Sequence, residues 1–413
     1  MKSNGSERNT GLRRILFVDD EPNVLEGLQR MLRSMRHEWD MAFAEGGVAA
    51  LEILDAGPCD VVVSDMRMPG MDGVRLLSEV RERYPQTVRI VLSGHSDHEL
   101  ILKSVGAAHQ YLSKPCDADS VKETVVRAFA LRDLLTNEKL QLLVSRMRSL
   151  PSVPSLYAQL LEELESPDAS IERIGEIVSR DPGMTAKILQ LVNSAFFGLR
   201  RHISSSADAT SLLGLDTIKA LALSVGVFSR FDRAQVPGFD LDALLSYSTA
   251  IGMIAREIAR AEGQTEEAMD AAFTAGLLHQ TGKLVLAAQL PGEYNAMLAL
   301  AREEGLLAVK AERRIFGAAY PEVGAYWLGL WGLPDSIVDA VAFHHRPGQC
   351  PVKAFGPLTA VHTAIFLERQ TRPAGPGADD VSPLDLNYLA SLGLDGRVGA
   401  WQETCRQTIV EQT

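Results

Sequence analysis

RRILFVDDEP (13–22), DVVVSDMRMPGMDG (60–73), RIVLSG (89–94) and HQYLSKP (109–115) share one pattern. In each, a short apolar run ends on polar side chains: Asp19 with Asp20, Asp65, Ser93 and Lys114. Short apolar runs bounded by turn residues read as buried strands, and amphipathic, helix-like stretches separate these four. The alternation predicts a doubly wound parallel α/β sheet. In such a sheet the C-terminal strand ends share one edge, so the five side chains are expected to meet in one crevice.

Three carboxylates brought together require a cation. An oxygen-only site with few ligands suits Mg2+, which keeps several waters and favours phosphate-bearing partners. The chemistry implied is phosphoryl transfer to a carboxylate, with Asp65 as the acceptor. Asp19 and Asp20 are expected to hold the metal beside Asp65. Lys114 supplies a point charge for one phosphoryl oxygen and the Ser93 hydroxyl a hydrogen bond for another.

Residues 11 to about 132 resemble a response-regulator receiver domain of a bacterial two-component system, which implies a five-stranded parallel sheet of the flavodoxin-like type. The resemblance rests on VDDEP (18–22), SDMRMPGMDG (64–73), LSG (92–94) and YLSKP (111–115). It implies that a sensor histidine kinase phosphorylates Asp65, that the backbone carbonyl of Arg67 completes the Mg2+ shell, and that Ser93 and Tyr111 form a switch pair. The face made by the fourth helix, fifth strand and fifth helix is then expected to change shape on phosphorylation.

The 413-residue chain has room for two or three domains and is 46% hydrophobic, with a formal charge of −12. That charge argues against nucleic acid as a partner, because phosphate contacts need clustered Lys and Arg. The polar MKSNGSERNT (1–10) reads as a disordered N-terminus with no signal peptide, and no apolar run is long enough to span a membrane. Cys59, Cys116, Cys350 and Cys405 lack paired ligand spacing and read as reduced thiols, which points to the cytoplasm.

A helical pattern begins near Asp117, with Val121, Val125, Ala128, Leu131 and Leu135 on one face. Thr136 to Lys139 interrupt it before Leu140, Leu143, Met147 and Leu150 resume. Residues 133–150 are therefore a connector helix, with two readings open: a homodimer seam, or a helix packed on its own domains. Beyond it the chain reads as all helix, with runs from 171 to 344 and no β pattern. Asp181 is the expected cap of a helix whose first residue is Pro182. Residues 349–413 form a C-terminal helical extension interrupted by RPAGPGADD (372–380).

Residues 151–348 resemble an HDOD domain, a family related to metal-dependent HD phosphohydrolases and generally taken to lack their catalysis. The segments carrying this are RDPGMTAKILQLVNSAFFGLRRHIS (180–204), LLGLDTIKALALS (212–224), GLLHQTGKLVL (276–286), GLWGLP (329–334) and AFHHRP (342–347). The His-Asp dyad of the enzymes is here His279-Gln280, and Tyr247 and Tyr320 stand where further histidines would be. Gln is neutral, so the charge that bridges metals is missing. No cofactor is expected in this half. His344 and His345, placed at a helix C-terminus that Arg346-Pro347 stops, are expected to point about 100° apart and not to share a site. Phe196, Phe197, Trp327 and Trp331 read as core, and Arg200-Arg201 as solvated. The expected output is binding of a downstream signalling protein. The alternatives are a receiver-gated phosphohydrolase acting on a nucleotide or cyclic dinucleotide, and a module that binds a nucleotide without cleaving it.

Overall fold

The computed structural model describes residues 12–93, 107–114, 116–147, 151–152, 154–166, 168–193, 202–223, 229–230, 236, 238–371 and 383–410. Its first compact unit ends at Ala130 and its second begins at Leu131. The expected disordered residues 1–10, the aromatic pair Phe196-Phe197, and Arg200-Arg201 lie outside the described residues.

Five strands form the sheet of the first unit: β1 (Arg13–Asp19), β2 (Trp39–Glu45), β3 (Val61–Asp65), β4 (Val88–Ser93) and β5 (Gln110–Ser113). They pair in parallel in the order β2-β1-β3-β4-β5, so the strand order reverses between β1 and β3. Ile15 to Val18 and Val61 to Val63 are fully buried, the signature of strands covered by helices on both faces. The covering helices are α1 (Pro22–Met31), α2 (Gly47–Ala56), α3 (Gly73–Arg83) and α4 (Ala118–Leu134). Pro22 opens α1, and Asp72 caps α3 by accepting from the Arg75 amide at 2.7 Å. Residues 94–106, where the fourth receiver helix is expected, lie outside the described residues.

The helical pattern that starts near Asp117 breaks into two helices at the polar interruption. After α4 the chain breaks at 135–137, and α5 (Glu138–Arg146) starts under Asn137, whose side-chain oxygen accepts from the amides of Lys139 and Leu140. The polar interruption Thr136–Lys139 is thus a helix stop and a new cap. Leu135, Leu140 and Val144 are buried within the chain, and α5 packs on α15 (Tyr320–Leu330). These residues therefore do not form an open seam, which favours the helix packed on its own domain.

The second unit holds α6 (Pro154–Glu165), α7 (Ile171–Ser179), α8 (Pro182–Val192), α9 (Ser206–Leu223), α10 (Leu241–Ala261), α11 (Glu266–Leu278) and α12 (Thr281–Gln289). These are followed by α13 (Pro291–Glu304), α14 (Ala308–Phe316), α15, α16 (Asp335–Phe343), α17 (Pro357–Thr371), α18 (Leu386–Ser391) and α19 (Val398–Val410). Asp181 caps α8 through the Met184 amide at 2.8 Å, as its DPG signature predicts. One expectation needs correcting. Helix is not the whole content, because Pro151–Ser152 and Ser229–Arg230 form a two-residue parallel pair. Trp327 is fully buried against Trp331, with ring centroids 3.9 Å apart, so both belong to the core.

Lys187 on α8 is 1% exposed, donates to Gln190 Oε1 at 3.0 Å, and lies 4.3 Å over the Trp331 ring. Burial lowers its pKa to about 7. The folded state thus prefers the neutral amine, while the unfolded chain stays protonated up to the ordinary value of 10.5. Below the folded pKa the cost of burying the charge is met in full; as pH rises from about 7 toward 10.5 that cost falls away. Thermal unfolding of wild type and Lys187→Met at about pH 6 and about pH 9 should show the wild type gaining on the variant at the higher pH. A pH-independent difference would mean that Lys187 does not titrate in this window.

Candidate functional site

The crevice at the C-terminal edge of the sheet brings together Asp19 at the end of β1, Asp65 at the end of β3 and Lys114 just after β5. Lys114 Nζ donates to Asp19 Oδ2 at 2.7 Å and to Asp65 Oδ1. The Arg67 amide donates to Asp65 Oδ2 at 2.7 Å, and the Glu21 amide to Asp19 Oδ1 at 3.0 Å. Asp19 is 1% and Asp65 8% exposed, whereas Asp20 is exposed to solvent. Asp20 thus sits beside the pair rather than buried within it. Ser93 closes β4 on the same edge, and Tyr111 is half-buried on β5.

Burial pushes the Asp65 pKa up, opposed by the Lys114 ammonium and the Arg67 amide and reinforced by the negative charge of Asp19. For Lys114, burial favours the neutral amine, but the hydrogen bonds with Asp19 and Asp65 outweigh it and the pKa rises. One ammonium thus serves two buried carboxylates, with a third acid alongside. Among the described residues no three His, Cys, Asp or Glu side chains form a metal cluster. Mg2+ does not need one, since one or two carboxylates, water and phosphate oxygens satisfy it. The donor set fits that ion.

In the second unit a different cluster forms, without carboxylates among its ring contacts. Tyr247 on α10, His279 after α11, Tyr320 at the start of α15, and His344 and His345 after α16 pack ring against ring. The Tyr320 hydroxyl lies 2.9 Å from His344 Nε2 and 2.7 Å from His345 Nε2. The expectation that His344 and His345 cannot share a site is therefore wrong. His344 keeps helical backbone angles (φ −56°, ψ −25°), and both rings still reach the one Tyr320 hydroxyl, because adjacent side chains at a helix end can converge on a partner lying between them.

Hydrogen-bond partners assign the protons. A carbonyl only accepts, so His279 Nδ1 donates to Gly276 O at 2.5 Å, His344 Nδ1 to Val341 O at 2.9 Å, and His362 Nδ1 to His344 O at 2.7 Å. With Nδ1 protonated, neutral His344 presents a lone pair at Nε2, and the Tyr320 hydroxyl donates to it. Tyr320 then accepts from His345 Nε2. Burial lowers the His344 pKa well below the ordinary value, and burial with the charge of Lys283 brings His345 down to about 3. His344 and His345 are neutral at physiological pH, and a phenol proton stands on His344 Nε2.

Sequence reading missed this convergence, and it missed Lys283, whose ammonium lies 4.7 Å over the Tyr320 ring. The TGK that follows His279-Gln280 was the available signal for Lys283; the helix end after Phe343 carried none in periodicity alone.

Comparison with known proteins bears on both units. A profile described as "Response regulator receiver domain" matches residues 15–126, and one described as "HDOD domain" matches 150–347. The solved receiver domain of an HD domain-containing protein from Pseudomonas fluorescens Pf-5 is 32% identical, and the match covers 30% of this chain and 98% of that one, at a TM-score of 0.28. The chain belongs to the response regulators. Its receiver domain is followed by an HDOD domain. The MmoQ response regulator from Methylococcus capsulatus str. Bath is 27% identical over 62% of this chain and 98% of that one, at a TM-score of 0.47. The hydrogenase transcriptional regulatory protein HoxA of Cupriavidus necator is 33% identical over 177 residues, 40% of this chain and 36% of HoxA. The chain spans less than half the length of the curated relatives it matches.

Tyr320→Phe keeps the ring and removes both hydrogen bonds, taking from buried His344 Nε2 its hydroxyl donor. Loss of about 1–3 kcal/mol is expected, read as a fall in thermal midpoint. A variant as stable as wild type would mean that the hydroxyl bonds contribute nothing.

Proposed function

We propose that this response regulator takes a phosphoryl group from a sensor histidine kinase onto Asp65 and uses the change to switch its HDOD domain, which acts by binding another protein. The observation that carries the first step is the single ammonium of Lys114 shared by Asp19 and Asp65 at the strand-order reversal. The deficit of positive charge suits Mg2+, held by Asp19, Asp20, Asp65 and the Arg67 carbonyl. When bound, the ion neutralises the incoming phosphoryl oxygens. Lys114 is placed to pair with one of them once its bond to Asp65 yields, and the Arg67 amide holds the other Asp65 oxygen in place. Ser93 and Tyr111 are the proposed switch pair.

The output half is proposed to be non-catalytic. Support comes from Gln280 in place of a charged ligand and from the Tyr320 proton on His344 Nε2. We assign receiver 11–132, connector 133–150, HDOD domain 151–348 and C-terminal helical extension 349–413. Nucleic acid is not a proposed partner, given the charge of −12. Among the described residues no helix is long and apolar enough to cross a membrane, and a cytoplasmic location is part of this reading.

A receiver-gated phosphohydrolase is the one rival with an observation in its favour, the meeting of His279, His344 and His345. Elemental analysis of the dialysed full chain separates the two. No retained Fe, Mn or Zn is expected; one such ion per chain would restore the enzyme reading. The switch itself is read by pull-down from native extract with wild type and Asp65→Ala, each with and without a small phosphoryl donor and Mg2+. A captured protein that depends on both Asp65 and the donor is expected. If capture ignores Asp65, the receiver does not control the output.

A further inference from the structure

The connector and the histidine cluster touch opposite sides of one helix, α15. On the connector side two contacts fall on α15 and a third falls just ahead of it. Leu131, in the last turn of α4 that leads into the connector, rests on the backbone of α15 at Gly329, where a Cβ would overlap its side chain. Ser145 Oγ on α5 lies 3.4 Å from the hydroxyl of fully buried Tyr326. Asn137 caps α5 through its oxygen, while its Nδ2 donates to Phe316 O at 2.7 Å, just ahead of α15.

The N-terminus of α15 carries the cluster. Tyr320 is its first residue, with its amide donating to Glu312 Oε2 at 2.8 Å and its hydroxyl on both His344 and His345. Its carbonyl lies against Gly282 of α12, where a Cβ would overlap it. Glu322, also in the first turn, accepts from Arg313 at 2.5 Å and from Arg346, and from the Ala319 amide at 3.1 Å. Tyr320 and Glu322 thus tie the first turn of α15 to His344, His345 and Arg346.

We infer that the connector acts as a lever on this node: its seat along α15 decides whether Tyr320 stays bonded to His344 and His345. This rests on the response-regulator function proposed above and names the route by which it reaches the HDOD domain. A slide of α15 by about 1 Å would take the Tyr320 hydroxyl beyond hydrogen-bond range of both imidazoles. Close-packed elements switch between discrete arrangements rather than deforming continuously, so both bonds are made or lost together. His345 is half-exposed and Arg346 exposed, so the rearrangement reaches the surface.

The test uses the full chain with nitrogen-labelled histidine, with His344 and His345 assigned by single substitution, and adds a beryllofluoride mimic with Mg2+. Fluorine NMR reports the mimic at Asp65; nitrogen NMR reports both imidazoles. In wild type, both imidazole signals should move when the mimic binds. Leu131→Ala removes the contact at Gly329, and Asn137→Ser keeps a capping oxygen but loses the donor to Phe316. In each, the imidazole response should fall by more than half while the fluorine signal persists. Imidazoles unmoved in wild type with the mimic bound, or equally responsive in both variants, overturn the lever and leave the receiver function standing. A wild type that binds no mimic overturns that function, and the lever with it.

Discussion

Two buried carboxylates share one ammonium at the edge of the receiver sheet, and this shortage of positive charge organises the first half of the molecule. Asp19 and Asp65 sit where water cannot screen them, so each depends on Lys114 and on backbone amides. The parallel sheet makes this arrangement possible because β1, β3 and β5 end on one edge. A divalent ion and a phosphoryl group are the chemistry that such a deficit receives. The same charge balance ties the site to the rest of the fold, since Lys114 follows the last strand and leads toward the helix that ends at the connector.

The helical half handles buried polarity the opposite way, by removing charge. Gln280, Tyr247 and Tyr320 bring no charge to the cluster, burial keeps His344 neutral, and burial with the Lys283 charge does the same for His345. A phenol satisfies two imidazoles with one proton given and one accepted. Such a network is rigid when complete and costly when broken, which suits a structural node better than a metal centre. Its stability depends on α15 being held from both sides, by the connector and by α12.

The receiver was legible because its chemistry lies at strand ends, and strand ends are marked by the switch from apolar run to polar residue. Asp19, Asp65 and Lys114 needed only the topology of a doubly wound sheet to be placed together. Asp20 shows the limit of that logic, since it is exposed while its neighbour Asp19 is buried. The helical half was legible as helix, through caps such as Asp181 and the Asn137 restart, but its site was not. Helical periodicity says which residues share a face only while the helix lasts, and His345 lies past the end of α16.

By itself, the sequence determined the α/β unit, the helical unit, and the placing of Asp19, Asp65 and Lys114 at strand ends. These follow from local patterns and from chemical identity. Only the tertiary structure decided that Leu140 and Val144 pack inward on α15, that three histidines and two tyrosines from separate helices form one cluster, and that Tyr320 bonds to His344 Nε2. Those outcomes depend on which helix faces meet across long sequence separations, and the close approach of backbones at Gly282 and Gly329 that sets them is not written in any single segment.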